Sequence, residues 1–370
     1  MSRTAAYPST ASYRRLVLKV GSNVLTNEQG LPDEARIAHV CSQLAELRGR
    51  QKEILLITSG AVASGRSLVP STARPDPVIL RQVLAAVGQV RLMKFYSEQL
   101  AQNGLLCAQI LVTKEDFRSR RHYLNMRNCF RALLEQGIVP IANENDAISV
   151  TELMFTDNDE LAALIASMMD ADAVVLMTNV DGIFDGPPSD PRSQRIPVVH
   201  HAPAHLESFL QPETSRFGCG GMLTKCRMAL RLARMGIAVH IVNGKRDGIL
   251  TRLLSGSPEG TAFPPRRDAS PLKRWIAHSE GFSKGTATIN AGAEQALATP
   301  ERAASLLPVG ITRLEGDFQK GDIIRICRED GRLVGLGVAQ YNFTKAHSLL
   351  GRKNQKPLVH YDYLFLSEAG

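Results

Sequence analysis

Aromatic residues are scarce in this 370-residue chain, with one Trp, seven Tyr and twelve Phe. Its core must therefore be mostly aliphatic. No stretch approaches the ~18 consecutive apolar residues of a membrane-spanning helix. The opening residues MSRTAAYPSTASYRR have no apolar h-region and do not read as a secretory signal. Residues 1–14 read as a flexible tail, with an organellar transit peptide as the alternative. The six cysteines (Cys41, Cys107, Cys129, Cys219, Cys226 and Cys327) form no C-x-x-C pair. That excludes a zinc or dithiol signature and leaves free thiols in a reducing cytoplasm as the expectation. Charge of one sign is also modest. Residues 1–270 carry 31 basic against 26 acidic side chains, and 271–370 carry 13 against 10. That spread of charge suits an anionic substrate and not a dedicated nucleic-acid binder. Several catalytic signatures are missing: G-x-x-x-x-G-K-[ST], H-R-D, H-E-x-x-H and G-x-S-x-G. Gly218-Cys219-Gly220-Gly221 lacks the third glycine of a dinucleotide fingerprint, and the nine histidines do not cluster at ligand spacing.

Two textures are present. From 15 to 245, short apolar runs alternate with helix-length segments. The runs are Arg15–Val20, Glu53–Thr58, Leu105–Thr113, Gly137–Ala142, Ala173–Thr178 and Ile237–Val242. Between most of them the period is helical: in 157–169, Leu161, Leu164, Ile165, Met168 and Met169 share one face. This predicts a mostly parallel sheet covered on both faces. The segment SGSPEGTAFPPRRDASP (255–271) reads as loop and boundary. After it come short β-type runs, with Asp330-Gly331 as a hairpin turn. The expected organisation is an α/β domain over 15–270 and a small β-rich domain over 280–360.

In open α/β sheets ligands bind beyond the carboxyl ends of the strands. Polar knots follow the predicted strands there: Lys19-Val20-Gly21-Ser22-Asn23, Thr58-Ser59-Gly60-Ala61, Asn143-Glu144-Asn145-Asp146 and Thr178-Asn179-Val180-Asp181-Gly182. Two more open helices: Thr156-Asp157-Asn158-Asp159, and Gly218 to Lys225. Each alone is an ordinary turn or cap. Together they describe one chemistry. Gly-Ser and Gly-Gly turns expose backbone N–H groups that cradle phosphate oxygens. Lys19 and Lys225 suit phosphate charge, Asp159 would fix their geometry, and Asp146 and Asn158 would hold a polar small molecule. That is a phosphoryl-transfer site of positioning and electrostatics.

The segments VLKVGSNVL, TSGAVASGR, QVLAAVGQVRL, QILVT, RALLEQGIVPIANENDAI, TDNDELAALIA, LMTNVDGIF, GGMLTK and SLLPVGI closely resemble the amino acid kinase superfamily. The resemblance runs from about Leu16 to Tyr363. TSGA and GGM-x-TK indicate the superfamily. NEND followed by DND, with the C-terminal β module, resembles its glutamate-phosphorylating branch. The resemblance implies a three-layer α/β/α sandwich around a mostly parallel sheet, followed by a PUA-type β domain. It implies transfer of the ATP γ-phosphoryl group to the side-chain carboxylate of L-glutamate, as the first step of proline synthesis. Mg²⁺ would bridge the nucleotide phosphates with no protein metal site, proline would act as feedback inhibitor, and the chain would form a dimer or tetramer.

Carried over by motif, Lys19, Lys225 and Asp159 would be catalytic. Ser59, Asn143, Asp146 and Asn158 would bind glutamate. Lys19, Gly21, Thr178, Asn179 and the run Cys219, Gly220, Gly221, Met222, Leu223, Thr224 and Lys225 would meet ATP, and Gly60 would let backbone approach the phosphates. The chain departs from the resemblance at Asn179, where Asp is usual, at Thr156, where Gly is common, and at Cys219 and Leu223, where Thr and Ser are usual. The last two remove hydroxyls near the phosphates, for which backbone donors could compensate. The loop 185–195 is slightly long. The rival readings are another amino acid kinase (aspartate, acetylglutamate, carbamate or uridylate) and an RNA-binding protein acting through the β domain.

Overall fold

The computed structural model describes residues 7–70, 76–118, 120–149, 158–186, 190–200, 221–266, 276, 283–298 and 304–366. The chain divides into two compact units, Met1–Asp268 and Ala269–Gly370.

In the first unit, β1 (Arg15–Val20), α1 (Ser22–Leu25) and α2 (Glu34–Gly49) lead to β2 (Glu53–Thr58), α3 (Ala61–Arg66) and α4 (Pro77–Gln102). Then come β3 (Cys107–Val112), α5 (Lys114–Arg118), α6 (Arg120–Glu135), β4 (Val139–Glu144), α7 (Asn158–Met168) and β5 (Ala173–Thr178). The unit ends with α8 (Met222–Arg234), β6 (Ala238–Asn243), α9 (Ile249–Leu254) and β7 (Thr261–Phe263). The seven strands form one sheet in the order β3-β4-β2-β1-β5-β6-β7, parallel except for β7.

Strand alternation separates the two faces of β1. Leu16, Leu18 and Val20 join the core formed with α2, α4 and α9. Val17 and Lys19 turn to the other face, where α7 packs on β1 and α8 packs on α7 and β6. The chain starts in the middle of the sheet, builds outward through β2, then crosses back over β1 to β5. A crevice opens at such a reversal, beyond the carboxyl ends of the strands.

Two readings from sequence need correction. The segment 255–271 is not all loop, because Thr261, Ala262 and Phe263 are fully buried and pair antiparallel with β6. Residues 7–14 are not a loose tail. Thr10 is fully buried and its hydroxyl donates to the Leu253 carbonyl at 2.8 Å. Tyr7 and Tyr13 bracket the buried ring of His240, their hydroxyls 3.0 Å from Nδ1 and 3.2 Å from Nε2. The Tyr7 hydroxyl donates to the Glu259 carbonyl at 2.5 Å. Its oxygen therefore accepts from Nδ1–H, and the Tyr13 hydroxyl donates to Nε2. A neutral imidazole satisfies all four groups. Residues 1–6 lie outside the described residues.

The second unit is a five-stranded sheet in the order β12-β11-β10-β8-β9. Its elements are β8 (Gly285–Ile289), α10 (Ala291–Ala298), β9 (Ile311–Gly316), β10 (Ile323–Cys327), β11 (Leu333–Val338), α11 (Phe343–Ser348) and β12 (Leu364–Leu366). The β10–β11 hairpin turns at Asp330-Gly331, as the dipeptide predicts, with Gly331 at φ 86°. Phe318, Ile324, Ile326, Leu358 and Val359 centre its own apolar core.

Candidate active site

The switch point gathers Lys19, Asp159 and Lys225. Lys19 Nζ lies 2.7 Å from Asp159 Oδ1, and Lys225 Nζ lies 2.9 Å from Oδ2. Each comes from a different element: β1, the first turn of α7 and the first turn of α8. Lys19 and Asp159 are buried, Asp159 at 3% exposure, and Lys225 is half-buried. Burial pushes the Asp159 carboxyl up, but the two ammonium groups outweigh it and hold it below the usual carboxylate range. One carboxylate thus holds two cations at fixed places, leaving the cluster one positive charge in excess. Gly221 opens α8 without a side-chain cap. The N-terminal N–H groups of that helix favour an anion beside Lys225. Gly21 follows β1 and donates its N–H to the Met177 carbonyl at 3.1 Å.

Next to Asp159, Asn158 faces the other half of the sheet. Its Nδ2 lies 2.8 Å from the Thr58 carbonyl, 3.0 Å from Ser59 Oγ and 3.0 Å from Asn143 Oδ1. Asn143 Oδ1 also accepts from the Glu144 N–H, while its Nδ2 donates to Gln89 Oε1 at 2.9 Å. Ser59, Asn143 and Asn158 therefore form one hydrogen-bonded cluster at the ends of β2 and β4. Gly60, which follows Ser59, adopts φ 101° and turns the chain into α3, a conformation suited to glycine. Asp146 stands apart from these amides and pairs with Arg81 of α4 at 2.9 Å. Burial raises its pKa, and Arg81 offsets that only in part.

On the β5–β6 side, Thr178 is buried, with its hydroxyl on the Val180 backbone, and Asn179 is exposed. Asp181 accepts from Asn243 at 2.9 Å and from Arg246 at 2.7 Å. Burial raises its pKa, but these two partners outweigh that and hold it low. Met222, Leu223 and Thr224 form the first turn of α8 ahead of Lys225. Cys219, Gly220, Thr156 and Asp157 lie outside the described residues.

Sequence reasoning missed the contribution of α4. Arg81, Gln89 and Tyr96 reach Asp146, Asn143 and Thr58 from this one helix, the last through a 2.9 Å hydroxyl contact. Gly88 lets α4 lie directly against α3, since a Cβ there would sit 1.8 Å from the Ala61 carbonyl oxygen. A polar signal was present: Gln89 interrupts the apolar face formed by Leu84, Ala85, Leu92 and Tyr96. The Asn243–Asp181–Arg246 cluster was also missed.

Among the described residues no three His, Cys, Asp or Glu side chains could hold a metal ion together. Both Asp159 oxygens already face ammonium groups. This donor set does not suit a protein-bound divalent cation. It suits a cation carried on nucleotide phosphates, with water completing its shell.

Similarity to known proteins agrees with this architecture. Residues 14–243 match the amino acid kinase family, and residues 285–360 match the PUA domain. The class is therefore an amino acid kinase fold with a C-terminal PUA domain. The chain is 51% identical to the glutamate 5-kinase of Chlorobaculum tepidum, over 96% of this chain and 98% of that protein. Identity to the glutamate 5-kinase of Bacteroides thetaiotaomicron is 49%, covering 96% and 99% of the two chains. With the Thermus thermophilus glutamate 5-kinase it is 39%, covering 96% and 98%. The chain belongs to the glutamate 5-kinase branch of the amino acid kinase family.

Proposed function

We propose that this protein transfers the γ-phosphoryl group of ATP to the side-chain carboxylate of L-glutamate, releasing ADP and γ-glutamyl phosphate. The observation that carries this reading is the buried Lys19–Asp159–Lys225 cluster, with Asn158 beside it turned to the strands on the other side. A carboxylate acceptor is ionised at neutral pH, so its oxygen attacks the γ-phosphorus without a general base. The bond to the β,γ-bridging oxygen breaks and ADP leaves. Lys19, Lys225 and the N-terminus of α8 face the charge that spreads over the phosphoryl oxygens and leaving group. Asp159 positions both lysines. Thr178, Asn179 and the Gly221–Thr224 turn bound the nucleotide side. Ser59, Asn143, Asp146 and Asn158 bound the acceptor side. Mg²⁺, carried on the nucleotide phosphates and not on side chains of the cluster, would supply charge neutralisation there.

The acyl phosphate product fits the first step of proline synthesis. Proline, which shares the ammonium and carboxylate of glutamate, is the expected feedback inhibitor. No helix of the described residues is long and apolar enough to cross a membrane, and the expected location is the cytoplasm. Ile79, Val83, Val87 and Val90 expose an apolar stripe on α4, with Val90 74% exposed, which supports a homo-oligomer. Acceptor-dependent ADP release with ATP and Mg²⁺ tests the function. L-glutamate should be the preferred acceptor over L-aspartate, N-acetyl-L-glutamate, carbamate and UMP. Preference for any of the others would overturn the reading.

A further inference from the structure

Gln89, Asn143 and Asn158 form a chain of side-chain amides whose orientations are fixed from both ends by backbone. At one end Asn143 Oδ1 accepts from the Glu144 N–H, which can only donate. Asn143 must therefore offer Nδ2 to Gln89, and Gln89 must answer with Oε1. At the other end Asn158 Nδ2 meets the Thr58 carbonyl, which can only accept. Two amide atoms remain, both buried and without a hydrogen-bond partner among the described residues: Gln89 Nε2, a donor, and Asn158 Oδ1, an acceptor. Gln89 is 8% exposed. A buried donor left without a partner destabilises the fold, because its hydrogen bonds to water are lost and nothing replaces them. The fold retains both atoms at the two ends of a chain of amides that are otherwise paired, Gln89 standing on a helix face that is apolar apart from it.

The sheet order says what such a donor could meet. Lys19 stands on β1, and Asn143 stands on β4, two strands away with β2 between. Neighbouring strands lie about 4.8 Å apart, so the two ends of the site are about 10 Å apart. An acceptor whose side-chain carboxylate reaches the Lys19–Lys225 end has its α-carbon groups towards β4. We propose that Gln89 is a specificity-determining residue of the acceptor pocket, its Nε2–H donating to the α-carboxylate of the amino acid while its Oε1 holds Asn143 in register. Asn158 Oδ1, the free acceptor, then meets the ammonium group. The pocket reads a zwitterion with one unpaired donor and one unpaired acceptor. This rests on the amino acid acceptor assigned above.

The test is Gln89→Glu, assayed for ADP release with L-glutamate and with L-isoglutamine, in which the α-carboxylate is a carboxamide. The variant keeps the oxygen that Asn143 needs and replaces the donor by a second oxygen. The L-glutamate KM should rise on the order of 10–100-fold, the loss expected for a hydrogen bond to a charged group. The ATP KM should stay within about twofold, and kcat should change far less than KM. The ratio of kcat/KM for L-glutamate over L-isoglutamine should fall at least about tenfold, because the new carboxylate accepts from the carboxamide. Gln89→Met, which neither donates nor accepts, should raise the L-glutamate KM without that reversal of preference, and it provides a second reading if the glutamate variant is poorly folded. Equal losses on both acceptors in Gln89→Glu, or an unchanged L-glutamate KM in either variant, overturn the proposal. A wild-type protein inert towards L-glutamate overturns the acceptor assignment itself, and the proposal with it.

Discussion

Replacing Asp159 with Asn separates the electrostatic role of the buried cluster from its packing. The shape is conserved, but the carboxylate that meets Lys19 at 2.7 Å and Lys225 at 2.9 Å is lost. Two ammonium groups, 9% and 13% exposed, are then left facing each other across an uncharged amide. Removing one partner of a buried ion pair costs about 3–5 kcal/mol. Part of that returns as the lysines swing apart, so a stability loss of about 2–4 kcal/mol is expected in urea titration. The excess positive charge rises from one to two, so ADP should bind at least as tightly as to the wild type. Turnover should fall about 10²–10³-fold, the usual loss when a group organising transition-state charge is removed. Calorimetric titration with ADP and steady-state assays read the two effects separately. Near-normal kcat would refute the positioning role of Asp159. Loss of ADP affinity in parallel with kcat would refute the argument that its charge is spent on holding the lysines.

Three further outcomes follow from the same geometry. Asp146→Asn should raise the L-glutamate KM and weaken proline inhibition while leaving the ATP KM nearly unchanged, in initial-rate assays with each substrate varied; a rise confined to the ATP KM would place Asp146 on the nucleotide side. Burial lowers the His240 pKa to about 4 from 6.5, so the unfolded chain takes up a proton there before the folded one does. Stability from this group is complete above pH 6.5 and declines as pH falls towards 4, by up to about 3 kcal/mol; urea titrations at pH 7.5 and 5 should show the decline shrink in His240→Gln. A chain truncated after Lys273 should keep glutamate- and ATP-dependent ADP release, since every candidate site residue lies in the first unit. Inactivity of a truncation that remains folded by circular dichroism would assign the PUA domain a part in the site.

The parallel sheet was legible because buried parallel strands read as continuous apolar runs, and each of the six runs contains a strand or overlaps it closely. β7 was not legible, since three residues between Gly260 and Pro264 carry no periodicity and become a strand only by pairing with β6. The order of Tyr7–Tyr13 was equally hidden, because it depends on His240, more than two hundred residues away. At the site, Lys19, Asp159 and Lys225 stood out through motif resemblance, and the fold brings them into contact. The orienting layer did not stand out. Gln89 and Tyr96 sit in a helix whose buried face looks like ordinary core, and their polar atoms acquire meaning only once Asn143 and Thr58 are beside them.

The identity of the phosphoryl acceptor decides which reaction this site performs. The most direct measurement is hydroxylamine trapping of the acyl phosphate, run alongside ADP release with ATP and Mg²⁺. With L-glutamate, γ-glutamyl hydroxamate should form in step with ADP, and it should fall together with ADP in Lys225→Ala. ADP release without hydroxamate, or hydroxamate formed as readily from L-aspartate or N-acetyl-L-glutamate, would contradict the account.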